Sequence, residues 1–237
     1  TKHQAADTSP TWSSDGSALY FLSSRNGSNQ LYKYDLASKK ITQVTDLVVG
    51  IETYKLTSDN SRLVFSASVF PGCDSFECSK RNFDKQKSAK ATGKLYHQTF
   101  VRHWDQWLDG TQSQLFSAEL SGDSATNVRP VSHSLNGNVP SRPFGGAEEY
   151  TISPDGKTVV FALRIADAKE SRSTNFDLYQ VGIGGGEAIN ITPDNPAWDT
   201  QPVFSPDGSK LAWLAMDRAG FEADRLQIHL KDLESGE

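Results

Sequence analysis

The chain has 237 residues, of which 36% are hydrophobic and 22% charged, with 18 Gly, 10 Pro and a formal net charge of −5. This length suits one large all-β domain or two small ones, and the apolar fraction is sufficient for a packed core, so an overall disordered chain is not expected. The acidic excess argues against a nucleic-acid partner, and no apolar run approaches the roughly 20 residues of a membrane-spanning helix.

A short phrase that ends in a turn recurs four times along the chain. It occupies residues 9–16, 54–60, 149–156 and 201–208, and its full form is Ser-Pro-Asp-Gly. Asp-Gly supplies the positive φ of a tight turn, and Ser-Pro favours the start of that turn. An apolar segment with the composition of a β-strand follows each copy, at residues 18–22, 62–66, 158–163 and 210–214. Each copy therefore predicts a β-hairpin.

Further strands complete each repeat and define its period. Third strands are predicted at residues 30–36, 114–120, 177–181 and 226–230, and fourth strands at 40–45, 127–132 and 188–192. The turn aspartates Asp15, Asp59, Asp155 and Asp207 follow one another at intervals of 44, 96 and 52 residues. Four strands in a period of about 40–50 residues indicate the blades of a β-propeller, whereas a β-sandwich would need four coincidental turns.

The repeats predict an all-β partial propeller of about four blades, each a four-stranded antiparallel meander. The predicted blades are residues 1–46, residues 47–135 with an insertion at 69–113, residues 136–196, and an incomplete blade at 197–237. Because the sequence starts and stops at different points of the repeat, we expect it to be a piece of a longer propeller.

Two cysteines, Cys73 and Cys78, lie five residues apart within the insertion. A zinc site would need four ligands, and no His or further Cys lies nearby in the sequence. The favoured interpretation is a disulfide that closes a small loop, and the alternative is two free thiols. A disulfide would place the protein in an oxidising compartment, either the periplasm or outside the cell.

The repeat resembles the propeller units of two families. One is the Tol-system periplasmic propeller, and the other is the N-terminal domain of the prolyl-oligopeptidase family of serine peptidases. The insertion contains the segment 100–110, Phe-Val-Arg-His-Trp-Asp-Gln-Trp-Leu-Asp-Gly, which resembles the dipeptidyl peptidase V and acylaminoacyl-peptidase branch of the second family. Ser23-Ser-Arg25 before Gln30-Leu-Tyr also fits this branch.

This resemblance implies a two-domain serine exopeptidase. In that family a propeller screens peptide substrates for an α/β-hydrolase domain, which releases dipeptides or acylated residues from peptide amino ends. The present chain has no Gly-x-Ser-x-Gly motif and no strand–helix alternation, so we expect the catalytic domain to lie outside it and this chain alone to be inactive. The alternative is a non-catalytic Tol-type scaffold that binds a protein partner. No cofactor or metal is expected, because the five histidines are scattered.

Two groups of residues are candidates for substrate contact. In the insertion, Asp105 could pair with a substrate ammonium and an indole ring could line a side-chain pocket, or the tryptophans could anchor the insertion while Arg102 pairs with Asp105. Before the third blade, two acids could face a cavity, or they could be solvated charges at the start of a strand. The candidates are Arg102, Trp104, Asp105, Trp107, Glu148 and Glu149.

A basic run and a glycine run are each interpreted as structural segments rather than as binding sites. Residues 80–94 hold six cations and one acid, which is typical of a solvated loop or short helix, although an anionic partner or membrane surface is an alternative. Gly182-Ile-Gly-Gly-Gly186 joins two predicted antiparallel strands, so we expect a hairpin turn rather than a phosphate site.

Overall fold

The structure of the chain, a computed structural model, describes residues 1–96, 101–103 and 105–236. Three four-stranded antiparallel sheets and one three-stranded sheet follow one another along the described chain. The first sheet contains β1 (Asp7–Trp12), β2 (Ala18–Ser23), β3 (Gln30–Asp35) and β4 (Ile41–Gln43). The fold class predicted from the repeats, an all-β propeller-like array of meanders, is confirmed.

The second sheet is interrupted in the middle by the insertion. Its strands are β5 (Thr53–Leu56), β6 (Arg62–Val69), β9 (Gln112–Ser121) and β10 (Ser124–Pro130), in the spatial order β10-β9-β6-β5. Between β6 and β9 lie α1 (Phe76–Ser88) and a two-stranded hairpin of β7 (Arg102–His103) and β8 (Gln106–Trp107). The segment outside the sheet is thus residues 70–111, slightly shorter than the predicted insertion because both flanking strands are longer.

The third and fourth sheets complete the described chain. The third contains β11 (Tyr150–Ile152), β12 (Thr158–Leu163), β13 (Asp177–Gly182) and β14 (Ile189–Asn190), with short 3-10 helices at Ala147–Glu149 and Glu170–Arg172. The fourth contains β15 (Asp199–Phe204), β16 (Lys210–Ala215) and β17 (Gln227–Asp232). Each sheet lies within one of the four ranges that the repeats outline.

The recurring turns are held by hydrogen bonds to their own aspartates. The Ser13 hydroxyl donates to Asp15 Oδ1 at 2.7 Å and the Ser17 amide donates to the same atom at 3.0 Å, and the next residue, Gly16, has a φ of 69°. The same pattern recurs at the other three turns. The hydroxyl and amide donors hold the pKa of Asp15 at about 2, because they stabilise the charged form. These carboxylates serve the turns rather than a ligand.

Successive sheets pack face to face and bury a separate cluster at each junction. The first cluster joins the first two sheets through residues such as Leu22 and Phe65, and the second joins the second and third sheets through Leu115 and Phe161. A smaller cluster that includes Leu211 joins the third and fourth sheets. The alternating apolar pattern of the strands therefore places one face toward each neighbouring sheet.

The first strands of neighbouring sheets lie side by side. The Tyr54 hydroxyl on β5 donates to the Ser9 carbonyl on β1 at 2.7 Å, and Lys55 Nζ donates to the Tyr150 carbonyl on β11 at 2.6 Å. Strand β11 in turn contacts β15. The four first strands thus surround one side of a common axis, as the innermost strands of propeller blades do.

The insertion is anchored by its helix. Ser75 caps α1, its hydroxyl accepting a hydrogen bond from the Cys78 amide at 3.2 Å, and Cys73 and Cys78 form a disulfide beside this cap. The aromatic ring of Phe76 packs 4.6 Å from that of Phe116 in the second sheet. The first part of the basic run is therefore helical, and the aromatic side chains of this helix are half-buried against the second sheet. Within the described residues, no helix is long and apolar enough to cross a membrane, and no three potential ligands cluster around a metal position.

We predict that replacing both Cys73 and Cys78 with serine lowers the free energy of unfolding of the insertion by about 2 kcal/mol, because a cross-link over a short loop restricts the unfolded chain. Urea unfolding without reductant should show this loss, and reducing the unmodified protein should reproduce it. Equal stability of the oxidised and reduced proteins would contradict the prediction.

Candidate functional site

A cleft of about 440 Å³ opens where the insertion folds back over the second sheet. Its walls are Glu52 and Thr53 at the start of β5, the hairpin of β7 and β8, and the segment 140–145 that leads to the third sheet. Because β5 runs from Thr53 toward the turn at Asp59, the cleft lies at the end of the sheet opposite that turn.

An exposed carboxylate is fixed in the floor of this cleft. Glu52 Oε2 accepts a hydrogen bond from the Ser113 hydroxyl at 2.8 Å, and Glu52 Oε1 accepts one from the Ser68 hydroxyl. Both serines lie on the paired strands β6 and β9, which hold them in place. The Glu52 side chain is therefore oriented by the sheet while it remains open to solvent, which suits the capture of a cation.

A guanidinium group lies beside that carboxylate. Arg142 Nη2 donates to the Ser68 hydroxyl oxygen, so one serine connects the acid and the base. Arg142 Nη1 donates to the Thr111 carbonyl and hydroxyl at 3.1 and 3.0 Å, and Asp109 lies 3.8 Å away. The cleft thus presents the Glu52 carboxylate beside an ion pair of Arg142 and Asp109, and hydrogen bonds set the positions of Glu52 and Arg142.

The insertion contributes an indole ring and an imidazole ring to the lining of the cleft. Trp107 lines the cleft with 55% of its surface exposed, and the Arg102 guanidinium lies 5.3 Å above its ring. His103 also lines the cleft and is buried. Burial, together with the positive charges of Arg164 and Arg142, lowers the pKa of His103 and so favours its neutral imidazole.

The structure separates the residues that the sequence suggested. Trp107 lies in the cleft, Arg102 stacks on it, and Asp105 is exposed at the tip of the hairpin and does not line the cleft. Trp104 lies outside the described residues. Of the two adjacent acids, Glu148 is exposed whereas Glu149 is buried and bonded to Ser141, so they do not form a pair that faces one cavity.

Sequence reasoning missed both charged groups at the centre of the cleft. Glu52 and Arg142 are 90 residues apart and belong to no motif, and the serine that joins them lies on a strand between. Only the pairing of β6 with β9 brings Ser68 opposite Ser113 and so positions Glu52. No local pattern in the sequence could have identified this group.

No family model matches the chain, but a curated relative matches its full length. It is 29% identical over 238 residues to dipeptidyl-peptidase 5 of Porphyromonas gingivalis, a match that covers 100% of this chain and 34% of the relative. It is 31% identical over 224 residues to dipeptidyl-peptidase 5 of Porphyromonas endodontalis, covering 94% of this chain and 31% of the relative. The chain therefore spans about a third of the length of these relatives.

Solved structures share the fold at lower sequence identity. An acylaminoacyl peptidase of Pyrococcus horikoshii superposes with a TM-score of 0.60 at 13% identity, covering 96% of this chain and 32% of the other. TolB of Acinetobacter baumannii superposes with a TM-score of 0.55 at 15% identity, covering 98% and 42%. These structures support the propeller fold and do not distinguish a peptidase from a scaffold.

Proposed function

We propose that this chain is the propeller portion of a serine peptidase of the prolyl-oligopeptidase family, because two dipeptidyl-peptidase 5 proteins match 94–100% of its length. The complete protein would release dipeptides from the amino ends of peptides, with catalysis in an α/β-hydrolase domain outside this chain. The match over the whole chain, insertion included, carries this proposal. A Tol-type scaffold is supported only by a fold that both families share.

Within this function we propose that the cleft binds the amino end of the substrate. The exposed Glu52 carboxylate would pair with the free ammonium group, and Arg142 would donate to a backbone carbonyl of the bound peptide. Trp107 offers an apolar surface to the first side chain.

The charge of Glu52 bears on the choice between free and acylated substrates. An acylated amino end carries no positive charge, so it would leave the carboxylate without a cationic partner and would gain less from binding. The cleft therefore favours dipeptide release over the removal of acylated residues.

The activity can be tested with the complete protein and matched chromogenic substrates. We expect hydrolysis of a dipeptidyl p-nitroanilide with a free amino end, little hydrolysis of its N-acetylated form, and labelling by a fluorophosphonate at a serine outside residues 1–237. Faster cleavage of acetylated aminoacyl substrates would assign the protein to the acylaminoacyl branch. Neither hydrolysis nor labelling would favour the scaffold.

We also propose a periplasmic or extracellular location, which the disulfide between Cys73 and Cys78 supports. Alkylating whole cells before lysis should leave both cysteines unmodified, as judged by mass spectrometry of the peptide that contains them. Alkylation of both thiols would contradict this location.

A further inference from the structure

A closed turn precedes the third sheet and carries Arg142. The amide of Gly145 donates to the Ser141 carbonyl at 2.9 Å, which closes residues 141–145 into a loop. Inside this loop the buried carboxylate of Glu149 accepts two hydrogen bonds from one residue, from the Ser141 amide at 2.6 Å and from the Ser141 hydroxyl at 2.7 Å. The loop is therefore fastened at Ser141, the residue directly before Arg142.

The packing around the Glu149 carboxylate is tight. A Cβ atom added at Gly145 would lie 2.5 Å from Glu149 Oε2 and 2.6 Å from the Ser141 amide nitrogen, both shorter than real contacts of such an atom. The backbone of Gly145 thus closes directly over the carboxylate. Burial raises the pKa of Glu149, as expected for a carboxyl group shielded from water.

The position of Arg142 depends on where this loop is fastened. Its guanidinium reaches across the cleft to Ser68 on the second sheet and to Thr111 at the end of the insertion, while its backbone belongs to the loop that leads to the third sheet. A shift of Ser141 would therefore move the one cleft group that we assign to the substrate carbonyl. Small displacements of a binding group are enough to weaken transition-state and ground-state contacts.

We infer that Glu149 is a positioning residue, whose carboxylate fastens the loop at Ser141 and thereby holds Arg142 in place for the substrate. This inference rests on the proposed function. Glu149 does not touch the substrate itself, because its carboxylate is occupied by Ser141 inside the loop. Its effect on activity passes through Arg142.

Three substitutions distinguish this role from that of a general stabilising residue. Glu149→Ala removes both acceptors, whereas Glu149→Gln keeps one oxygen for the Ser141 amide and offers an NH₂ group to the Ser141 hydroxyl oxygen, so it should rescue the loop. Ser141→Ala removes only the hydroxyl bond and provides a milder variant should Glu149→Ala fail to fold. Glu187→Ala, an exposed acid on the β13–β14 hairpin, is the matched control.

In the complete protein, Glu149→Ala is expected to raise KM for a free dipeptidyl substrate about tenfold while kcat stays nearly unchanged. Ser141→Ala should raise KM by a smaller factor. Glu149→Gln and Glu187→Ala should both have the KM and kcat of the unmodified protein. Hydrogen exchange of the peptide containing residues 139–147 should rise in Glu149→Ala. In an Arg142→Ala background, Glu149→Ala should add little, because the group through which it acts is already absent.

Two results would overturn the inference, and they differ from a failure of the proposed function. Unchanged exchange over residues 139–147 in Glu149→Ala would show that the carboxylate does not fasten the loop. Effects of Glu149→Ala and Arg142→Ala that simply add would show that Glu149 does not act through Arg142. If the unmodified protein hydrolyses no dipeptidyl substrate, the proposed function fails together with the substrate part of this inference, while the exchange measurement still judges the loop.

Discussion

Replacing Glu52 with Gln in the complete protein is expected to lower kcat/KM for a free dipeptidyl substrate by about 10- to 100-fold, which is the range for losing a hydrogen bond to a charged group. The reason is that Ser68 and Ser113 already orient the carboxylate, so the charge is in place before substrate arrives. Glutamine keeps the shape and one acceptor oxygen but not the charge. Steady-state kinetics with the free substrate and its N-acetylated form measure the effect.

The two substrates and two further variants distinguish loss of the Glu52 charge from a nonspecific loss of activity. The N-acetylated substrate should be nearly insensitive to Glu52→Gln, because it has no ammonium group to lose. Glu187→Gln removes an exposed charge elsewhere and should leave kcat/KM unchanged. Asp105→Asn tests the rival anchor at the hairpin tip, and we expect a smaller effect from it than from Glu52→Gln. A larger effect at Asp105, or an equal loss for both substrates at Glu52, would move the amino-end site away from Glu52.

The fold could be predicted because its signals are local and repeated. Each of the four turns is held by residues within five positions of one another, such as Ser13, Asp15 and Ser17, and the strand after it carries its own apolar pattern. Repetition then converts four weak local signals into one architecture. The insertion interrupts the second repeat without hiding it, because β9 still carries Gln114-Leu-Phe as the third strand.

The complete blades also share a hydrogen bond between a late hydroxyl side chain and the backbone of the third strand. A hydroxyl near the end of each complete blade accepts a hydrogen bond of 2.9 Å from the third strand, at Thr45, Ser132 and Thr192. The hydroxyl of Thr45 also donates to Gln30, the residue that begins its third strand. Buried polar groups need such partners, so the pairing of a third-strand glutamine with a later hydroxyl, at Gln30 and Thr45 and at Gln114 and Ser132, could have been recognised as a link between strands.

The site could not be predicted in the same way, because its groups meet only through tertiary structure. Glu52 obtains its orientation from two serines on different strands, and serine is too common in this chain to stand out. Glu148 and Glu149 are identical neighbours in sequence, yet one is exposed and the other is buried under Gly145. The two adjacent acids therefore suggested a paired binding site, whereas in the structure Glu149 holds the loop at Ser141 and Glu148 lies in solvent.

A substitution in the glycine run between β13 and β14 is expected to cause a large loss of stability. Gly185→Ala is expected to lower the free energy of unfolding by about 2–4 kcal/mol, from about 1–2 kcal/mol for a non-glycine residue at positive φ and the rest from steric overlap. Gly185 has a φ of 86°, and a Cβ atom there would lie 2.2 Å from the Pro130 carbonyl oxygen. Pro130 ends β10, so the overlap falls at the junction of the second and third sheets.

Substitutions at the two adjacent glycines are internal controls, because they separate the backbone penalty of a positive φ from the steric overlap with Pro130. Gly186 has a φ of 121° but open space around its Cβ position, so Gly186→Ala should show the backbone penalty alone. Gly184 has neither positive φ nor a close neighbour, so Gly184→Ala should stay within about 0.5 kcal/mol of the unmodified protein. Urea unfolding of the three variants should rank their losses as Gly185 above Gly186 above Gly184. A Gly185→Ala loss no larger than that of Gly186→Ala would mean that the hairpin moves freely relative to Pro130, and that the two sheets are less tightly joined than their contact implies.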